Sequence, residues 1–95
     1  MAAYVIAEVE ITDPQAFERY RAEVPATLTP FGGRFIVRGG LSETLEGDWQ
    51  PKRLVILEFP DRATAKAWWS SETYAAPKAL RQRSARTRLI VIDGV

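Results

Sequence analysis

The chain has 95 residues, 46% of them apolar and 26% charged, and a net charge of +1. That is the make-up of one globular domain, not of a disordered chain, and the balanced charge supplies no field to draw in nucleic acid or an anionic membrane. The lack of any cysteine or histidine removes disulfides, thiolate and Ser-His-Asp nucleophiles, Cys/His zinc sites and a histidine haem ligand.

A strand-like run over residues 4–11 places Val5, Ala7, Val9 and Ile11 on one face and Tyr4, Ile6, Glu8 and Glu10 on the other. It lacks the basic start and long apolar run of a secretion signal, and no stretch approaches the roughly 20 apolar residues of a membrane span, so a cytoplasmic protein without membrane contact is expected. Thr12-Asp13-Pro14 supplies a helix cap and a proline suited to the first helical position. In the helix that follows, Phe17, Tyr20, Val24 and Leu28 form a stripe able to lie on a sheet, while Glu18, Arg19, Arg21 and Glu23 point mostly outward. Pro25 predicts a kink or break, and Gly32-Gly33 ends the helix.

Residues 34–38 and 53–59 read as two strands of a hairpin with a long connection, 39–52, in which a short strand is predicted around residues 42–45. Phe35 and Val37 oppose Arg34, Ile36 and Arg38; Val55, Leu57 and Phe59 oppose Leu54, Ile56 and Glu58. Asp61 caps a second helix with Ala65, Trp68 and Trp69 on its buried side. Ser70-Ser71 breaks it, and Pro77 opens a further helical piece carrying Leu80. A last strand over residues 88–93 puts Ile90 and Ile92 on one face and Leu89, Val91 and Asp93 on the other.

The order β-α-β-β-α-β predicts an α+β, ferredoxin-like single domain over residues 1–95, with an antiparallel sheet in the order 4-1-3-2 and both helices on one face. Val5, Ala7, Val9, Phe35, Val37, Val55, Leu57, Phe59, Ile90 and Ile92 are assigned to the helix side. The other side then shows Ile6, Ile36, Leu54, Ile56, Leu89 and Val91, too much apolar surface for water. A second copy of the chain is expected to cover it, giving a homodimer whose two sheets pack face to face as a dimeric α/β barrel.

The runs YVIAEVEITDP, GGRFIVRGG, LEGDWQPKRLVILEFP and AKAWWSSETY resemble the family called domain of unknown function 1330, in the dimeric α/β-barrel superfamily, over almost the whole chain. The resemblance implies a ferredoxin-like protomer and a homodimer. The superfamily includes cofactor-free monooxygenases, muconolactone isomerases and haem enzymes; the missing histidine argues against the last.

Two constellations carry candidate chemistry. If Arg38 faces Leu54, then Arg34 faces Glu58, and Glu8 on the adjoining strand extends a charged row across the bare face. Crowded carboxylates there predict a raised pKa and a proton exchanger, with Arg34 as the anion holder; the competing reading is an ion-pair network that fixes the dimer's register. The second is a pocket between helices and sheet, walled by Tyr20, Trp49, Trp68 and Tyr74 with Arg38, Arg53 and Glu46 near its mouth, which suits a planar organic ligand; simple packing of Tyr20 and Trp68 is the alternative. Trp49, in a loop between Asp48 and Pro51, is expected to touch a ligand or a partner chain.

Gly32-Gly33 and Gly39-Gly40 fit turns and no phosphate-binding motif. Glu43, Glu46 and Asp48 follow no calcium-loop spacing and are read as solvated, with no metal and no cofactor expected. RNA-binding domains share this strand order but need exposed aromatics where Leu54 and Ile56 stand, so no nucleic acid is expected. The arginines near the C-terminus are read as the wet face of the last helix. The function expected is binding of a small anionic or aromatic metabolite, with metal-free acid–base chemistry of isomerase or monooxygenase type on it; the alternative is a non-catalytic dimeric module that binds a ligand or a protein through residues 39–52.

Overall fold

Alternation, caps and glycines divide the chain as the periodicity requires. The computed structural model describes residues 1–95, with β1 (Ala3–Ile11), α1 (Pro14–Leu28), a 3-10 turn (Thr29–Phe31), β2 (Arg34–Arg38), β3 (Leu54–Phe59), α2 (Arg62–Trp69), α3 (Glu72–Ser84) and β4 (Ala85–Asp93). The sheet is antiparallel in the order β2-β3-β1-β4, the ferredoxin-like arrangement. None of the helices is long and apolar enough to cross a membrane.

Side chains close the helix starts. Asp13 accepts from the Ala16 N–H at 3.2 Å, with Pro14 opening α1, and Asp61 accepts from the Thr64 N–H at 2.7 Å to open α2. Ser70 ends α2, and Ser71 caps α3 by accepting from the Tyr74 N–H at 3.2 Å. Pro77 therefore sits inside α3 and does not open it. The hydroxyl of Ser71, one residue outside the helix, is the stronger start signal.

Pro25 also lies within an unbroken helix, α1, contrary to the expected break. Proline has no N–H for the carbonyl four residues back, which here is Arg21. Arg38 compensates by donating from Nη2 to that carbonyl at 2.8 Å. At the far end Gly32, with φ 66°, turns the chain out of the 3-10 segment, a conformation that costs a residue with a Cβ.

One face of the sheet packs Val5, Leu57 and Phe59 against Val24 and Leu28 of α1, Ala65 and Trp68 of α2, and Tyr74 of α3. Trp68 stacks on Tyr74 with ring centroids 4.0 Å apart and donates its indole N–H to Thr27 at 3.0 Å. That bond satisfies the one polar atom of a buried aromatic.

Two strands depart from the simple alternation read from sequence. In β2 both Ile36 and Val37 oppose Ile56, a bulge, so Val37 shares the bare face and Arg38 pairs with Val55, not Leu54. The bulge turns Arg38 to the helix side. In β4 Val5 pairs with Val91 and Ile6 with Ile90, so Leu89 and Val91 face the helices while Ile90 and Ile92 lie on the bare face. Both alternate sets of RLIVID are apolar, and only the pairing with β1, which begins at Ala85, decides between them. Residues 39–52 form no strand.

Candidate functional site

The bare face carries ion pairs in separate rows. Arg34 donates from Nε to Glu58 at 2.8 Å, and the Tyr4 hydroxyl donates to the other carboxylate oxygen at 3.2 Å. Glu8 lies four residues along β1 from Tyr4, the partner of Glu58, hence roughly 13 Å away along the strand. It is held by Arg88, whose Nε donates at 2.9 Å, and by the indole N–H of Trp49 at 3.2 Å. The expected row of Arg34, Glu58 and Glu8 is thus split in two. Hydrogen bonds from Arg88 and then Trp49 pull the Glu8 carboxyl below its ordinary pKa, and the bond from Arg34 does the same for Glu58. Each carboxylate meets cations and donors, not its fellow, so the direction is opposite to the rise expected from crowding.

Trp49 belongs to this face. It is 56% exposed and borders a shallow depression with Ile6, Glu8, Leu54, Arg88 and Ile90, on the opposite side of the sheet from Tyr20, Trp68 and Tyr74. The anchor is local: the Trp49 carbonyl accepts from the Thr44 hydroxyl at 2.7 Å and its ring nitrogen reaches Glu8. Glu46 is exposed in the same loop and lines no cavity with Arg38.

Between sheet and helices there is a cavity of about 40 Å³, with Tyr20, Arg38, Arg53, Trp68 and Tyr74 among its walls. Most of the remaining lining is apolar side chain from β1, β3 and α1. Two further arginines join it, Arg21 and Arg81, whereas no aspartate or glutamate does. Their charge predicts a wet helix face for both. Yet Arg21 stands four residues from Phe17 and from Pro25 and three from Val24, and Arg81 stands seven from Tyr74, spacings that bring each to a buried stripe. Arg81 is 6% exposed. Arg86 and Arg88, for their part, belong to β4 and not to a helix.

Polar groups inside the cavity form one chain. Arg81 Nε donates to the Tyr74 hydroxyl at 3.3 Å, and the Tyr20 and Tyr74 hydroxyls lie 2.8 Å apart. The Tyr74 oxygen has two lone pairs, so it can accept from Arg81 and still exchange a hydrogen bond with Tyr20 in either direction. Burial, then the neighbouring Tyr74, pushes the Tyr20 pKa far up, so this hydroxyl stays protonated and acts as a donor. At the mouth, the Arg38 guanidinium lies 4.1 Å over the Phe35 ring, and Arg21 Nη1 pairs with the exposed Glu18 at 3.2 Å. The Nε atoms of Arg21 and Arg53 are buried without a partner. Burial, then the charges of Arg21 and Arg38, lowers the pKa of Arg53. No three acidic side chains stand close enough together to hold a metal ion.

A four-stranded antiparallel sheet with its helices on one face, and a pocket between the two layers, defines a ferredoxin-like α+β protein. Within that class the chain belongs to the family described as domain of unknown function (DUF1330), whose family model matches residues 2–95. No curated protein matches the chain. Among solved structures it is similar to the RPA0582 protein of Rhodopseudomonas palustris, at 18% identity and TM-score 0.77 over 99% of this chain and 82% of that one. It is similar also to a dimeric ferredoxin-like protein from Jannaschia sp. CCS1, at 16% identity and TM-score 0.66 over 99% and 100% of the two chains. A third is SnoaB of Streptomyces nogalater, a cofactor-independent oxygenase, at 10% identity and TM-score 0.68 over 99% and 93%. At these identities the likeness is one of fold.

Proposed function

We propose that the protein is a homodimer joined through the bare sheet face, and that each protomer binds a small aromatic or anionic organic molecule between sheet and helices. On it the protein performs cofactor-free acid–base chemistry, of isomerase or monooxygenase type. The observation that carries this reading is the cavity itself, whose largely apolar walls include the hydrogen-bonded Tyr20 and Tyr74 hydroxyls and the Arg81 guanidinium that donates to Tyr74. A neutral donor beside cations stabilises an enolate or phenolate oxygen, the charge such reactions develop. Glu8, Arg34 and Glu58 stand across the sheet from it, and their role in this reading is to set the register of the two copies. Likeness to a cofactor-independent oxygenase and to a dimeric protein of the same fold supports both halves.

The cavity holds only a few water molecules as it stands, by the rule of about 10–15 Å³ each. A larger ligand therefore requires the apolar walls to part around its tail. The same tightness favours a second reading, a non-catalytic module in which exposed Leu41, Leu45 and Trp49 meet a partner protein. A thermal-shift screen against phenols and small carboxylic acids separates the two. At least one compound should raise the melting point, and Tyr20→Phe should cut turnover of that compound while leaving its binding. A panel without effect overturns the ligand reading, and a monomer in light scattering at micromolar concentration overturns the dimer.

A further inference from the structure

We propose that Arg21, Arg38 and Arg53 form a carboxylate site at the mouth of the cavity, so that the ligand is an organic acid held by its carboxylate with its apolar end inside. This deepens the pocket reading above and rests on it. Three guanidinium groups from α1, β2 and the segment before β3 converge on one opening whose walls hold no acidic residue. Like charges do not gather in a partly desolvated place without cost. The one carboxylate in reach, Glu18, is itself largely exposed and pairs only with the Nη1 end of Arg21.

Two further observations point to a missing acceptor. Arg21 Nε and Arg53 Nε are buried with their hydrogens unpaired, whereas buried donors in folded proteins almost always have partners. Local structure also keeps the arginines in place. A Cβ on Gly39 would lie 2.1 Å from Arg53 Nη1, and Gly39 has φ 74°, so only glycine both makes the turn and leaves room for that guanidinium. Arg38 is anchored by the Arg21 carbonyl that Pro25 leaves free.

A carboxylate fits this set better than a phosphate. It is planar and accepts in the plane of the guanidinium fork. It also brings an organic tail that Val9, Phe17, Val24 and Val55 can bury, whereas inorganic phosphate would be stripped of water against apolar walls.

The test is a titration of ¹⁵N-labelled protein with butyrate, with butyramide as the neutral isostere and inorganic phosphate as the tail-less anion. The arginine Nε–H resonances are followed and assigned through Arg21→Gln and Arg53→Gln. Butyrate should shift both resonances saturably and raise the melting point, butyramide and phosphate should not, and Arg53→Gln should weaken butyrate about tenfold or more without lowering the melting point of the free protein. Equal responses to butyrate and butyramide, or to butyrate and phosphate, overturn the carboxylate site, as does butyrate that leaves the Nε–H signals unmoved. Phenol separates the two levels of inference. If phenol shifts the Trp68 and Tyr74 ring signals while butyrate moves nothing, the pocket stands and the carboxylate site falls; if neither moves anything, both fall.

Discussion

Ile90 offers a quantitative handle on the bare face. It pairs with Ile6 in the central row of the sheet, is 56% exposed in the lone protomer, and touches none of the helices' core. Ile90→Ala removes three carbons, worth about 2.4 kcal/mol for complete burial at about 0.8 kcal/mol each. Since the protomer already covers nearly half of the side chain, a partner sheet supplies about 1.3 kcal/mol of that per copy. A two-fold interface contains the residue twice, so the variant should weaken association by about 2.7 kcal/mol, or about a hundredfold in Kd. Sedimentation equilibrium over a dilution series measures this, with circular dichroism to show that the protomer keeps its fold. The control is Val91→Ala, one residue along but under the helices, whose cost should appear in unfolding and not in dimer strength. A Kd unchanged by Ile90→Ala, or a dimer weakened by Val91→Ala instead, refutes the reasoning.

The Glu58 carboxyl is held below its ordinary pKa chiefly by Arg34, with a smaller contribution from Tyr4. A depressed folded pKa stabilises the protein above the unfolded value, and that stability is lost as pH falls through the folded one. Urea unfolding between about pH 5 and 3 should therefore show falling stability with a shallower slope in Glu58→Gln; equal slopes would contradict the pairing. Pro25→Ala restores an N–H to the Arg21 carbonyl and displaces Arg38 from it, while removing an interior proline that costs a helix up to about 3 kcal/mol. The melting point should rise and the butyrate response fall; movement of both in the same direction would break the proposed link between helix and site.

The fold was legible because its signals are local and mutually consistent. Asp13-Pro14, Gly32-Gly33 and Asp61 mark element ends through chemistry confined to a few residues, and the alternation in β1 has only one apolar face. Errors arose where the deciding information is not local. In β4 both faces are apolar, so the phase is set by a partner strand some eighty positions away in sequence. In β2 a single extra residue opposite Ile56 reverses every later side chain, and RFIVR contains no glycine to announce it. The placement of Trp49 depended on the path of an irregular loop, which periodicity does not describe. Arg21 and Arg81 are hard to place for another reason: their charge points to water, although both occupy positions at which an apolar residue belongs to the interior.

The two irregularities of the chain meet at Arg38. The bulge in β2 is needed to swing its guanidinium from the bare face to the helix side, and Pro25 is needed to leave an unpaired carbonyl where that guanidinium arrives. Either feature alone would be a defect: a proline within a helix strands an acceptor, and an arginine turned under the helices strands several donors. Together each removes the other's penalty at one polar atom, yet the neighbouring Nε donors of Arg21 and Arg53 remain unpaired. Simple packing gives no reason to bring three cations to the mouth of an apolar chamber, since aliphatic side chains of similar volume would fill it without desolvating charge. An arrangement that keeps local irregularity and repulsion, with buried donors still waiting, is one whose most stable state includes the anion that completes it.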